Sequence, residues 1–374
     1  MLAFFPTETE RNLVNKTAMP LRRSAETFAR LLLAWALLTE GSFAGENSAP
    51  PSASIELVRT LDVRGAYVSL EGQNLFLTND VTAPGKETPP GSWFELSPDP
   101  ALPALVSSSL PAAWQIAVVA NHAFVCDYTK FLTVYQLEKS GWKLLAKLPV
   151  PGQTENIVLR GKLAYVASHI AGLTIVDISE PSKPTIVSNF NPKIDCDAIA
   201  LHNDSAVLYG HWESRLVLVD VSNPSNPRQT GVYQHEAKSF NQGEMEVFRD
   251  FAYCTGVNSL VVVNLTDPVH PALAKALPFK GATTDVAICD RFAFVASNDG
   301  VHAFDLAAPP NPVEVGRFNQ PAFQLAVTKA KMPGDYFIYA TTRKGSASVL
   351  RFRSPARPDK ATGACHAPSE KAAN

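Results

Sequence analysis

One short run of hydrophobic positions recurs along the chain. It reads Asn74-Leu75-Phe76-Leu77, then His122-Ala123-Phe124-Val125 and Leu163-Ala164-Tyr165-Val166. It returns at Ser205-Ala206-Val207-Leu208, Phe251-Ala252-Tyr253-Cys254, Phe292-Ala293-Phe294-Val295 and Phe337-Ile338-Tyr339-Ala340. The third residue of each run makes a natural anchor, and successive anchors stand 41 to 48 residues apart. Before each anchor comes an alternating run, such as Ile157-Val158-Leu159, and then a turn such as Arg160-Gly161-Lys162 or His202-Asn203-Asp204. After it come a loop, a second apolar strand such as Leu173-Thr174-Ile175-Val176, and a short last strand such as Thr185-Ile186-Val187-Ser188. Short period-two runs separated by turn residues predict β-strands, and four of them in about 40–45 residues make one propeller blade. Seven copies predict an all-β, seven-bladed β-propeller over residues 55–354.

A ring of blades must close, because an open sheet edge invites pairing with another chain. The seventh copy has strands near 323–328, 336–341 and 346–352 and then stops at Ser354-Pro355, one strand short. An unassigned strand, residues 55–63, precedes the first copy. The pattern predicts that residues 55–63 pair with residues 346–352 and complete the last blade.

The most specific motif punctuates the end of the third strand. Leu173-Thr174-Ile175-Val176-Asp177-Ile178-Ser179-Glu180-Pro181 is one copy, and Leu216-Val217-Leu218-Val219-Asp220-Val221-Ser222-Asn223-Pro224 is the next. Two more run Leu260-Val261-Val262-Val263-Asn264-Leu265-Thr266-Asp267-Pro268 and Val301-His302-Ala303-Phe304-Asp305-Leu306-Ala307-Ala308-Pro309. A degenerate copy is Phe94-Glu95-Leu96-Ser97-Pro98. Asp or Asn at a strand end can bond a nearby backbone N–H, and proline then stops the strand. Asp177, Asp220 and Asp305 are therefore expected to build turns, not to catalyse. The series resembles the LVIVD-repeat family, over roughly residues 90–320. That resemblance implies a β-propeller-like repeat protein, usually exported or at the cell surface in prokaryotes. It carries no established catalytic residues.

The N-terminus reads as an export signal, residues 1–44. Arg22, Arg23 and Arg30 precede the apolar run 31–38, and Ser42-Phe43-Ala44 offers small residues for cleavage. Met19 is an alternative start, and the paired arginines leave Sec and twin-arginine export both open. The run is too short to span a bilayer, which needs about 20 apolar residues. Residues 45–54 read as a linker. The tail, residues 355–374, is rich in Pro, Ala, Lys and Ser, and disorder is expected there. The expected location is periplasmic or extracellular, with no membrane span once the signal is removed.

Net charge is −2, which lacks the basic excess of a nucleic-acid binder. The five cysteines, Cys126, Cys196, Cys254, Cys289 and Cys365, form no CxxC, and spacing alone assigns no disulfide. Cys126 and Cys254 sit in strand-like runs and read as buried thiols. Cys365, in the tail, is expected to be exposed and able to cross-link chains.

Catalytic signatures are missing: GxSxG, HExxH, Walker A and GxGxxG do not occur. A propeller offers instead a ring of loops. The starts of the inner strands and the loops after the anchors open on one face. The strand starts bring Tyr67, Trp114, Gln115, Glu155, Asn156, Asp195, Asp197, Glu244, Asp285 and Gln324. The loops bring Asp80, Asp127, Lys130, His169, His211, Trp212, Asn258, Asn298, Asp299 and Arg343. This face reads either as wet loops around a channel mouth or as a binding surface. Trp114, Trp212 and Tyr67 could stack on a sugar or a peptide. His169, His211, Asp197 and Glu244 could hold a divalent metal. The insertion 78–92 could act as a lid or recognition loop. Two functions follow. The first is a monomeric, non-enzymatic scaffold without cofactor that binds a protein or glycan partner outside the cytoplasm. The second is a metal-assisted hydrolase or lyase at the channel mouth.

Overall fold

The computed structural model describes residues 53–79, 88–138, 140–235 and 243–354. The export signal, nearly all of the linker, Asp80, most of the 78–92 insertion, the tail and Cys365 lie outside the described residues. The described chain is all strand and turn, arranged as seven four-stranded antiparallel sheets. Blades one to six span 67–110, 115–149, 156–190, 198–234, 245–278 and 283–318. In each, the four strands follow one another outward in chain order. Blade seven takes its inner three strands from Leu325–Lys329, Asp335–Thr341 and Ala347–Arg353. Its outer strand is Ser54–Leu61, antiparallel to Ala347–Arg353, with Ile55 opposite Phe352 and Leu57 opposite Leu350. The predicted closure thus forms within a residue or two of the expected limits.

The recurring anchors explain why the blades hold together. Phe76, Phe124, Tyr165, Val207, Tyr253, Phe294 and Tyr339 are all buried. Each falls in a different hydrophobic cluster, and each cluster spans its own blade and the next. Phe76 packs with Ile116 and Val125 of blade two, and Tyr339 packs with Val68 and Leu75 of blade one. The core is therefore a ring of seven inter-blade layers, one anchor to each. Near-constant spacing in sequence becomes near-constant geometry around the ring.

The punctuation motif forms the turns expected of it. Oδ1 of Asp177 accepts the Ser179 N–H at 2.8 Å, and Asp220 accepts that of Ser222 at 2.9 Å. Asn264 accepts from Thr266 at 2.9 Å, and Asp305 from Ala307 at 2.8 Å. These backbone donors hold the Asp177 and Asp220 carboxyls below the usual carboxylate range. All four turns lie on the face opposite the inner-strand starts.

Candidate functional site

The inner-strand starts and the loops after the anchors do gather on one face, around the mouth of a central channel. The channel encloses about 660 Å³. Its wall runs from Gln115, Asn156, Glu244 and Gln324 at the mouth to Arg160, His202 and Arg249 at the far rim. A hydrogen-bonded bar crosses the mouth. Asn156 Nδ2 of blade three donates to Glu244 Oε2 of blade five at 3.3 Å. Gln324 Nε2 of blade seven donates to Glu244 Oε1 at 3.4 Å, and Gln324 Oε1 accepts the Val68 N–H of blade one at 3.1 Å. Four blades are linked through one carboxyl group.

Carboxyl groups accumulate beside this bar. Burial, followed by the charge of Asp197 and a hydrogen bond with it, pushes Glu155 up to about 10. Burial and the charges of Asp285 and Asp197 hold Glu244 well above the carboxylate range. Burial raises Asp285 to about 7, although the Leu325 and Val286 N–H groups pull the other way. Glu246, on the channel wall below, rises to about 8 through burial and Asp285. The charges that raise Glu155 and Glu244 are all other carboxylates.

An aromatic arc borders the acidic mouth. Arg343 lies over the Phe323 ring at 4.3 Å, and Phe323 meets Tyr67 edge-on at 5.7 Å. Tyr67 stacks on Trp114 at 5.6 Å, and Trp114 stacks on Tyr128 at 4.4 Å. Tyr128 reaches His169, at 5.5 Å between rings, and its hydroxyl lies 2.9 Å from His169 Nε2. The arc passes through blades seven, one, two and three. Farther round, His211 Nδ1 lies 2.5 Å from Asp197 Oδ2, which also accepts the His211 N–H at 2.9 Å. Trp212 beside it is half exposed, 4.8 Å from the His211 ring. Gly243 closes this corner: a Cβ there would stand 2.5 Å from that of His211.

Of the residues expected at the site, Tyr67, Trp114, Gln115, Glu155, Asn156, Asp197, Glu244 and Gln324 share one small depression. Asp285 lines the channel beneath it, and His169, His211 and Trp212 stand at its side. Asp127 and Asp299 serve their own loops. Asp127 accepts from the Thr129 N–H and hydroxyl, while Asp299 accepts from Ser297 and pairs with Arg317 and His302. The four residues considered for a metal do not converge as one group. Asp197 pairs with His211, and Glu244 is held in the bar. The group whose ligand atoms lie together is Glu155, His169 and Asp195. Tyr128 and Phe323 are the site residues that sequence reasoning missed.

The LVIVD repeat matches residues 151–192, 210–235, 244–277 and 280–320, which fall in blades three to six and leave out the first half of blade four. These four segments are LVIVD repeats, set within a seven-bladed propeller. No curated protein matches it. Among solved structures, a Lactobacillus plantarum protein is similar with a TM-score of 0.58 and 13% identity, over 78% of this chain and 98% of that one. Sqt1 of Saccharomyces cerevisiae is similar with a TM-score of 0.55 and 8% identity, over 80% of this chain and 99% of that one. The computationally designed Ika8 protein is similar at 0.55 and 8%, over 79% and 99%. At such identities the likeness is one of fold. The matched segments supply Glu155, His169, Glu244 and Asp285, Asp195 and Asp197 lie between two of them, and most of the arc comes from blades one, two and seven.

Proposed function

We propose that this LVIVD-repeat propeller is an exported, non-enzymatic, monomeric scaffold that binds a partner outside the cytoplasm through its channel-mouth face. The observation that carries this reading is the aromatic arc lying against carboxyl groups whose charged neighbours are other carboxylates. Stacking alone would suit a glycan or a protein. The acidic mouth favours a protein segment that presents Lys or Arg, since a cation gains both from aromatic faces and from carboxylates. Export is supported by the basic, apolar and small-residue order of the first 44 residues and by the disulfide at Cys289, a bond typical of oxidising compartments. No helix among the described residues is long and apolar enough to cross a membrane.

The test is affinity capture from an envelope extract with the full chain, beside a Trp114→Ala/Trp212→Ala variant. A partner held by the first, lost by the second and released by moderate salt supports the reading. Equal capture by both chains overturns the face assignment. Capture that salt leaves intact turns the assignment toward a glycan. The metal-assisted hydrolase or lyase stands as a second reading, favoured by the grouping of Glu155, His169 and Asp195.

A further inference from the structure

We infer that Glu155, His169 and Asp195 form a binding site for one divalent first-row transition ion at the seam of blades three and four. The site does not depend on the partner reading, because a scaffold and an enzyme could each carry it. One ligand atom from each of the three lies within 4.8 Å of the others. An ion of this class holds N and O ligands at about 2.0–2.2 Å, so two of its ligands stand at most about 4.4 Å apart. Closing the difference needs side-chain movement of about half an ångström.

Three observations point to an ion. Glu155 is nine-tenths buried, and its Oε1 stands 3.7 Å from the His169 ring, too far for a hydrogen bond, while Nε2–H faces the Tyr128 hydroxyl and leaves Nδ1 as the nitrogen with a lone pair for an ion. Glu155 hydrogen-bonds another acid, Asp197, so that pair adds no positive charge. Asp195 Oδ1 is buried and makes no hydrogen bond, although it touches His169 Nδ1. That nitrogen already accepts the Ile170 N–H at 2.8 Å, so it has no proton to offer Asp195. A buried carboxylate oxygen without a donor is costly, and a cation would remove that cost.

The backbone holds the group ready. His169 has a φ of 46° and forms an isolated bridge with Cys196, whose N–H donates to the His169 carbonyl at 3.1 Å. This joins the loop of blade three to the segment carrying Asp195. Glu155 is fixed by its N–H donating to the Ala167 carbonyl at 2.9 Å. One imidazole with two carboxylates is a mixed N/O set, which suits Zn²⁺ or Mn²⁺ better than Ca²⁺ or Mg²⁺. Asp197, bonded to Glu155, would orient that ligand, as outer carboxylates do at metal sites.

The experiment titrates the chelator-stripped full chain with ZnCl₂, MnCl₂ and CaCl₂ by calorimetry. It is repeated with His169→Ala, Glu155→Gln and, as a control, His270→Ala. His270 is exposed in a punctuation turn on the opposite face. One Zn²⁺ or Mn²⁺ per chain is expected, weakened by roughly tenfold or more in the first two variants and unchanged in the third. The Mn²⁺-loaded wild-type chain should also show nitrogen coupling in pulsed electron paramagnetic resonance, a readout that needs no variant. Absence of stoichiometric binding overturns the site, as does binding retained in both ligand variants. Ca²⁺ binding as tight as Zn²⁺, or loaded Mn²⁺ without nitrogen coupling, overturns it as well.

Discussion

The Tyr253 hydroxyl donates to the Pro309 carbonyl at 2.7 Å, tying the anchor of blade five to the punctuation turn of blade six. Tyr339 repeats the relationship across the ring closure, donating to the Pro100 carbonyl of blade one at 2.8 Å. The two recurring motifs are thus partners in space. One blade's anchor meets the next blade's proline turn. Tyr253→Phe and Tyr339→Phe are expected to cost about 1 kcal/mol each, the usual net worth of such a bond. They lie in separate clusters, so the double variant should sum the two losses. Urea unfolding of the three variants checks this.

Stability of the metal-free chain should fall as pH rises from about 4 to about 8. Asp285 and Glu246 are raised by burial to about 7 and about 8, from ordinary values near 4. The folded chain therefore holds their protons through a range in which the unfolded chain has lost them. Their contribution is complete below the unfolded values and disappears as pH passes the folded ones. Urea midpoints at pH 5.5 and 8.5 should differ in that order, and Glu246→Gln should narrow the gap. An equal gap in the variant would remove Glu246 from the account.

Ring closure rests on Ile55, which is buried with Phe292, Phe294 and Phe352. Ile55→Asp should cost about 3 kcal/mol by placing a charge in that layer. Leu57→Asp, at an exposed position of the same strand, should cost far less. Comparing their chemical denaturation separates loss of the layer from loss of strand propensity.

Cys289 is disulfide-bonded, while Cys126, Cys196 and Cys254 are free. The fifth cysteine of the sequence, Cys365, lies outside the described residues. A non-reducing digest is expected to yield a Cys289–Cys365 linked peptide, and the chain should run as a monomer on gels with and without reductant. A reductant-sensitive dimer would instead return Cys365 to the intermolecular role read from the sequence.

The architecture was legible because propeller blades are written locally. The anchors, the Asp-x-Ser-x-Pro turns and the missing seventh outer strand all appear as runs of adjacent residues. The composition of the mouth was legible too, since strand starts and post-anchor loops share a face by topology. Pairings within it were not. Asp195 and Asp197 stand two residues apart, yet one touches His169 and the other His211. Left-handed backbone at Tyr128, φ 59°, and His169, φ 46°, shapes the loops that bring these two rings to the mouth. Sequence announces such a backbone through Gly or Asn, and neither residue is one. Phe323 was missed because it reads as strand, whereas it stands just before one and turns its ring to Tyr67.

The closing strand, Ser54–Leu61, has a consequence for the order of events during synthesis. It is the first strand of the ring to leave the ribosome, and its partner, Ala347–Arg353, is the last. Six blades can form as hairpins of neighbouring strands while this one waits with its edge unpaired. The slow step of maturation is then the meeting of the two ends, a contact of the longest sequence separation the ring contains. Any factor that shields the waiting strand acts before the ring is sealed, and a chain interrupted anywhere before Ala347 leaves that strand without its mate.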